Sequence, residues 1–124
     1  MQSNRPLMTV TLMGGDMQAQ GIAQVLLNVL DLGANLQAAT DMARFHHAQV
    51  ANVLGMESKL FNLVGRALQA MGHDVQSVNG GAVGGYQAIM FTPDPGVPGP
   101  ADGPIKGFYR AGSDHRKDGQ AVAY

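Results

Sequence analysis

Two adjacent glycines, Gly14 and Gly15, occupy the position in this sequence that best suits chemistry. They follow an apolar run and precede residues with helical apolar spacing, so the sequence places them at a strand-to-helix turn. A helix N-terminus has unpaired backbone N–H groups and partial positive charge, which stabilise an oxyanion or a carboxylate. In acyl transfer, one preorganised donor of this kind contributes about 3 kcal/mol to the transition state. The same glycines also fit an ordinary turn without chemistry, and their spacing excludes the dinucleotide-binding G-x-G-x-x-G motif.

The other polar residues do not form a recognisable catalytic or metal-binding motif. Thr9 and Thr11 lie inside a predicted strand, and no serine stands in a G-x-S-x-G elbow. The histidines lack the H-E-x-x-H spacing of a zinc site and are interpreted as packed or surface residues: His46, His47, His73 and His115. The sequence therefore predicts no metal site and no cofactor site.

Two groups of charged residues could form ion pairs. Asp41 and Arg44 are three positions apart, which predicts a weak pair on a helix surface. A mixed-charge segment near the C-terminus is either a solvated turn or an ion-pair cluster that holds the C-terminal residues near a site. Its members are Asp114, Arg116, Lys117 and Asp118.

Size and composition limit the class of protein. A chain of 124 residues suits a single domain of residues 1–124, and its low charged fraction of 14% suggests that it buries surface against another chain or segment. A net charge of −1 without a basic run argues against nucleic acid as a partner, and the lack of cysteine excludes a disulfide framework. The apolar stretches are too short to span a membrane, and the N-terminus does not resemble a signal peptide. A cytoplasmic and a periplasmic location both remain open.

The first half of the chain is predicted to begin with a largely buried strand over residues 7–13. A helix over residues 17–32 ends at Gly33, and Asn35 caps a shorter helix that runs to about residue 43. Residues 46–57 are predicted to be irregular, with at most a short strand over 49–54.

The second half is predicted to contain one helix and three strands. The helix covers residues 58–71 and stops at Gly72. The segment NGGAVGG is interpreted as a hairpin connection, since it lacks the Lys-Ser/Thr of a phosphate-binding loop. The strands cover residues 73–78, 86–91 and 105–111, and a loop rich in proline and glycine covers residues 92–105.

Three stretches, in order and spacing, resemble the γ-glutamyltranspeptidase family. The first is MGGDMQAQGIAQVLLNVLDLGANLQAATDMARFHH, the second is LQAMGHDV followed by GGYQAIMF, and the third is AGSDHRKDGQAVAY. The resemblance covers nearly the whole chain, and the D-M-Q-x-Q-G variant is closer to the acylase-like branch of that family. The matched part is the C-terminal part of the family's small subunit.

The resemblance implies an α+β fold, namely part of an N-terminal-nucleophile hydrolase sandwich with helices packed on a mainly antiparallel sheet. Such enzymes use a small-subunit threonine as nucleophile and its own α-amino group as base, and they form a γ-glutamyl ester before transfer to water or an amine. Gly14 and Gly15 match the glycines that donate the oxyanion-hole N–H groups. The nucleophile is expected in the missing N-terminal part of the small subunit, which, with the large subunit, would be the partner of this chain. The reaction that the resemblance implies needs no cofactor.

Three positions depart from the family pattern: Ile22 replaces a usual histidine, while Ala43 and His115 replace usual prolines. The leading hypothesis is the oxyanion-bearing segment of a γ-glutamyl transferase or hydrolase that is inert alone. The alternative is a non-catalytic remnant that self-associates, for example as a homodimer, or binds a partner. A third hypothesis is a free-standing anion-binding protein that uses the Gly14–Gly15 turn.

Overall fold

Six strands and several helical segments make up residues 6–95 and 106–122, which the computed structural model describes. The strands are β1 (Met8–Met13), β2 (Phe45–Ala48), β3 (Val53–Glu57), β4 (Val75–Val78), β5 (Gly85–Pro93) and β6 (Gly107–Ser113). The helices are α1 (Met17–Leu30), α2 (Leu36–Asp41), α3 (Ser58–Leu60) and α4 (Arg66–Ala70), with a π-helical turn (Phe61–Gly65) joining α3 to α4 and a 3₁₀ turn (Gly80–Val83) preceding β5.

The strands form two three-stranded sheets. In the first sheet, β5 is central and pairs antiparallel with β1 and with β6, so that Leu12 lies opposite Tyr86. In the second sheet, β3 is central; it pairs antiparallel with β2 and parallel with β4. The architecture is thus α+β and mainly antiparallel, with a single parallel pairing among the described strands.

Helix α1 packs on the first sheet through an apolar stripe with a four-residue repeat, Met17, Gly21 and Val25, all of which are buried. Leu12 of β1 fills the space that Gly21 leaves, because a Cβ atom at Gly21 would lie 2.5 Å from a Leu12 methyl carbon. Leu12 and Tyr86 lie in the core between this sheet and the helices. The close approach of α1 to β1 fixes the connection between them, which is the Gly14–Gly15 turn.

The predicted glycines at the helix ends and the Asn35 cap are confirmed, whereas two helices are shorter than predicted. Helix α1 ends two residues earlier than predicted, and Gly33 follows it with a positive φ of 70°. The Asn35 side chain accepts a hydrogen bond from the Ala38 N–H (2.8 Å) and caps α2, although α2 ends at Asp41 rather than near residue 43. Gly72 has a φ of 95° and ends the segment that begins with α3.

The prediction of irregular structure over residues 46–57 is wrong. Strands β2 and β3 form a hairpin there, and residues 49–54, the range of the short strand that the sequence allows, contain its turn. Asn52 adopts a left-handed φ of 54° in this turn, a conformation that asparagine tolerates better than most residues.

Four other predictions about strands and their connections need correction. The NGGAVGG segment is not a hairpin connection, since β4 and β5 belong to different sheets. Strand β1 is not largely buried: its side chains alternate in exposure, and Leu12 alone is fully buried. Thr92 and Pro93, which the prediction places in the loop, belong to β5, whereas the rest of the predicted loop over 96–105 lies outside the described residues. The last strand extends to Ser113, two residues beyond the prediction.

Candidate functional site

The Gly14–Gly15 turn lies where β1 ends and α1 begins, as the sequence predicts. Gly14 has a φ of 145° and Gly15 a φ of 58°, so both adopt conformations that favour glycine. Their carbonyl groups accept the N–H groups of Met17 and Gln18 (3.1 and 3.0 Å), which starts the helix. Within the described residues, neither glycine N–H donates a hydrogen bond, and both glycines are exposed. The N–H groups of Gly14 and Gly15 are thus without an acceptor in the described part of the chain, at an exposed turn.

A second backbone segment lies directly against this turn. A Cβ atom on Gly14 would lie 3.0 Å from the Cα of Gly84, whereas a Cβ atom on Gly15 would meet no atom within 4 Å. Gly84 itself has a positive φ of 78° and leaves room for the Leu12 side chain. The Gly14 side of the turn is thus closed by backbone, and the Gly15 side is open.

Arg44 holds that neighbouring segment from the interior. Its Nη1 group donates to the carbonyl oxygens of Val83 (2.9 Å) and Gly84 (3.4 Å), and its Nη2 group donates to the Thr40 carbonyl (3.1 Å). The residue is only 1% exposed. A buried guanidinium therefore fixes the backbone against which Gly14 packs.

Arg44 belongs to an ion-pair cluster of two arginines and two carboxylates. Asp114 pairs with Arg44 through Oδ2 and with Arg116 through Oδ1 (3.0 Å), and Arg116 also pairs with Glu57 (2.7 Å). Glu57 completes the cluster by accepting the backbone N–H of Arg44 at 2.7 Å. The charges balance, which makes burial of the four groups energetically tolerable.

The pKa of Asp114 reflects this environment. Burial by itself would raise the pKa of the carboxyl group, but three donors outweigh it: the backbone N–H of Arg116, the Arg44 guanidinium and the backbone N–H of Tyr86. The pKa falls from 3.8 to about 2. The same balance lowers the pKa of Glu57, where burial opposes the hydrogen bonds from Arg116 and from the Arg44 backbone. Both carboxylates are consequently charged at neutral pH.

The cluster confirms the ion pairing that one of the two interpretations of the C-terminal charged segment predicts; that it holds the C-terminal residues near a site stays a prediction. Asp114 and Arg116 are members, whereas Lys117 instead lies near the Gly81 carbonyl oxygen (3.5 Å). The predicted surface pair between Asp41 and Arg44 is wrong, because Arg44 points into the cluster. Asp41 contacts the exposed His115 ring instead, at 3.1 Å.

Sequence reasoning missed Glu57 and the buried role of Arg44. Their contacts join residues that are 13, 59 and 70 positions apart, so no local spacing reveals them. The one local signal is that Glu57 directly follows the apolar run VLGM; the surroundings of Arg44 in the sequence carry none.

The remaining candidates lie apart from the turn. Thr9 and Thr11 lie within β1, as predicted, and border a groove on the open face of the first sheet. His46 and His47 are neighbours in β2, and His73 lies before β4. In the described part of the chain, no group of three or more histidine or acidic side chains could hold a metal ion. Nor is any helix among residues 6–95 and 106–122 long and apolar enough to cross a membrane.

The positions that depart from the family pattern have distinct surroundings. Ile22 is a partly buried residue of α1 and packs against the core, where an apolar side chain is suited. Ala43 is half-buried and directly precedes Arg44, and the side chain of His115 is 60% exposed.

Comparison with known proteins identifies relatives along the whole chain. The family model described as γ-glutamyltranspeptidase matches residues 1–124. A glutathione hydrolase proenzyme from Escherichia coli is 32% identical over 89 residues, which cover 72% of this chain and 15% of that protein.

Solved structures agree with this assignment. Cephalosporin acylase from Bacillus halodurans superposes with a TM-score of 0.79 at 33% identity over 97% of this chain and 20% of its own. A γ-glutamyltranspeptidase from Pseudomonas nitroreducens, complexed with L-DON, gives a TM-score of 0.76 at 24% identity, and it supports the fold alone; the match covers all of this chain and 58% of that one. The predicted fold, a partial N-terminal-nucleophile hydrolase of the α+β class, is confirmed. The chain spans 15% and 20% of the lengths of the first two relatives.

Proposed function

The chain belongs to the γ-glutamyltranspeptidase family, and we propose that its Gly14–Gly15 turn is the oxyanion hole of a γ-glutamyl transferase or hydrolase of the acylase-like branch. The observation that carries this proposal is the pair of glycine N–H groups that have no partner within the described residues, at the start of a 14-residue helix. Their positive φ values and the backbone packed behind Gly14 hold the donors in place before substrate arrives. Such preorganisation is what makes an oxyanion hole effective.

The proposed chemistry is acyl transfer through a threonine outside these 124 residues. The threonine hydroxyl oxygen attacks the acyl carbonyl, and its proton passes to the threonine's own α-amino group. The tetrahedral oxyanion forms next to the N–H groups of Gly14 and Gly15, collapses to an acyl ester and releases an amine, which takes up that proton. Water or an acceptor amine then attacks the ester and regenerates the hydroxyl group. This chain contributes charge stabilisation at both tetrahedral stages.

The proposed substrates are γ-glutamyl amides such as glutathione, with β-lactam acyl compounds as a second class. The first class is supported by the name of the E. coli relative, and the second by the B. halodurans relative. We propose that the partners are the N-terminal part of the small subunit and the large subunit, which would supply the nucleophile and the residues that grip the substrate.

The assay measures p-nitroaniline release from γ-glutamyl-p-nitroanilide, by the chain alone and after refolding with the polypeptides that contain the missing parts. We expect no release by the chain alone, because an oxyanion hole without a nucleophile stabilises a charge that never forms. Turnover by the purified chain would contradict this expectation.

A matched pair of variants isolates the role of the turn in the assembled enzyme. Gly15 and Gly33 have similar φ values (58° and 70°), and a Cβ atom at either position would meet no atom within 4 Å. Alanine at either position therefore adds similar backbone strain. We expect Gly15→Ala to lower kcat at least tenfold, since a displaced donor costs more than about 1.4 kcal/mol at the transition state, and Gly33→Ala to leave kcat unchanged. Equal kcat values for the two variants would refute the oxyanion-hole assignment.

A second candidate function is a non-catalytic module that binds another copy of itself or a partner. Large exposed apolar side chains favour it, in particular Leu30, Leu32 and Met71, which are 55%, 73% and 73% exposed. Sedimentation velocity over a hundredfold concentration range distinguishes this candidate: a homodimer favours it, and a monomer throughout that range counts against it.

A further inference from the structure

We propose that Gln20 and Gln24 of α1 act together as a side-chain cap on the outer edge of β2, and that this cap prevents β2 from accepting a strand from a second copy of the chain. Each glutamine amide makes two hydrogen bonds to one residue of β2. Gln24 Nε2 donates to the Phe45 carbonyl (2.9 Å), and the Phe45 N–H donates to Gln24 Oε1 (3.0 Å). Gln20 makes the same pair of bonds with His47, both at 2.9 Å.

This arrangement reproduces the bonding pattern of a neighbouring strand. A primary amide carries a donor and an acceptor side by side, as a strand residue does when it exchanges two bonds with its partner. Residues i and i+4 of a helix are about 6 Å apart along the axis. Alternate residues of a strand are separated by about 6.7 Å. Two glutamines with this helical spacing therefore match two successive outward-facing positions of β2.

The cap satisfies the whole free edge of this strand. Because alternate strand residues direct their N–H and C=O groups to opposite sides, the pairing of His46 and Ala48 with β3 leaves Phe45 and His47 facing outwards. Those two residues are the ones that the glutamines contact. An uncapped edge strand with free N–H and C=O groups is a template for strand addition. Without the glutamine cap, we propose that a second copy of the chain pairs with the edge of β2. The second copy would present the same uncapped edge, and two such edges can pair antiparallel around a twofold axis.

Amide hydrogen exchange, resolved by residue with NMR, tests the cap in the 124-residue chain. We expect Gln24→Ala to speed exchange of the Phe45 N–H about tenfold while leaving that of His47 nearly unchanged, and Gln20→Ala to do the reverse. Gln18→Ala is the matched control, because Gln18 is exposed on the same helix and contributes no side-chain bond to β2 among the described contacts. Unchanged exchange at Phe45 in Gln24→Ala, or equal acceleration in Gln18→Ala, would overturn the proposal.

Gln24→Met separates hydrogen bonding from packing. Methionine has a similar length and can pack in the same place, but it has neither the N–H donor nor the amide oxygen that bond to Phe45. We expect the Phe45 amide to lose protection in Gln24→Met to the same extent as in Gln24→Ala. Protection retained in Gln24→Met would mean that side-chain packing, rather than the amide pairing, protects the strand, and would refute the cap.

Self-association tests the consequence of removing the cap. We expect Gln20→Ala/Gln24→Ala to sediment as larger species as its concentration rises, well beyond any association of the wild type or Gln18→Ala, with slow exchange returning at Phe45 and His47. A double variant that sediments like the wild type at every concentration would overturn the blocking role. If the double variant does not fold, sedimentation of the two single variants tests the same role, because each still exposes one donor and one acceptor of β2.

Discussion

Replacing Asp114 with asparagine tests whether the ion-pair cluster is a structural requirement. Asp114 accepts four hydrogen bonds. Two reach Oδ2, from Arg44 and from the Tyr86 N–H (3.0 Å), and two reach Oδ1, from the N–H and Nη1 groups of Arg116 (both 3.0 Å). Asparagine has nearly the same shape, but one of its two terminal atoms is an N–H₂ donor. In either orientation, that group faces two other donors.

Two independent arguments give the expected loss of stability: the pKa shift of Asp114 and the typical cost of breaking a buried ion pair. The lowering of the Asp114 pKa from 3.8 to about 2 corresponds to roughly 2 kcal/mol between its charged and neutral forms. Asparagine is less favourable than the protonated acid, because it adds donor–donor contacts and leaves the buried Arg44 charge without its partner. Removing one partner from a buried ion pair typically costs about 3–5 kcal/mol. We therefore expect Asp114→Asn to lower the free energy of unfolding by about 3–5 kcal/mol, a large share of a typical domain's total.

Urea unfolding at pH 7, followed by circular dichroism, measures this loss. Asp41→Asn is the control, because Asp41 is half exposed and its partner His115 is also exposed, so that we expect a change within about 0.5 kcal/mol. A loss below about 1 kcal/mol for Asp114→Asn would refute the reasoning. It would mean that the cluster rearranges and satisfies its donors without a carboxylate.

Three further predictions use other features of the fold. Because the folded-state pKa of Asp114 is depressed, its contribution is present above the unfolded pKa of 3.8 and is lost as the pH falls through about 2. The difference in urea midpoint between the wild type and Asp114→Asn should therefore shrink over this pH range without vanishing, because asparagine is less favourable than the protonated acid, and a constant difference would contradict this. Asn35→Ala should cost about 1 kcal/mol in thermal unfolding through loss of a helix cap, whereas Asn79→Ala, at a helix start without a side-chain cap bond, should change stability by less than about 0.5 kcal/mol. The Tyr86 hydroxyl is buried without a hydrogen-bond partner in the described structure, and burial raises its pKa to about 12; Tyr86→Phe should thus be neutral or stabilising in the same assay, and a loss above about 1 kcal/mol would reveal a partner.

The sequence predicts best those elements whose determinants are local. Helix α1 carries its apolar stripe, and its end at a glycine, within 17 consecutive residues, so its existence and position follow from spacing alone. The cap at Asn35 is equally local, since donor and acceptor are three residues apart. The turn at Gly14 and Gly15 could be located because the chain changes there from strand to helical spacing.

The β2–β3 hairpin could not be predicted because its stabilising contacts are distant in sequence. The outer edge of β2 is satisfied by Gln20 and Gln24, which precede it by 27 and 21 residues. Its turn uses Asn52 in a left-handed conformation without the Asn-Gly pair that usually marks a hairpin. Strand β2 has only four residues, which are too few to show the alternation of apolar and polar residues that predicts a strand.

The ion-pair cluster could not be predicted either, because its members are far apart in the sequence. The cluster also explains how the exposed Gly14–Gly15 turn is held in place. Arg44 and Phe45 are neighbours at the start of β2. The Arg44 guanidinium bonds to the Val83 carbonyl and so holds the segment behind Gly14, while Phe45 is bonded to Gln24 of α1, the helix that starts at the turn. Two consecutive residues thus connect the two elements next to the turn: Arg44 bonds through its side chain to the segment behind Gly14, and Phe45 bonds through its backbone to α1. A glycine pair can direct its N–H groups in many directions, because glycine has few backbone restrictions. The attachments made by Arg44 and Phe45, rather than the glycines themselves, therefore fix the conformation of the turn.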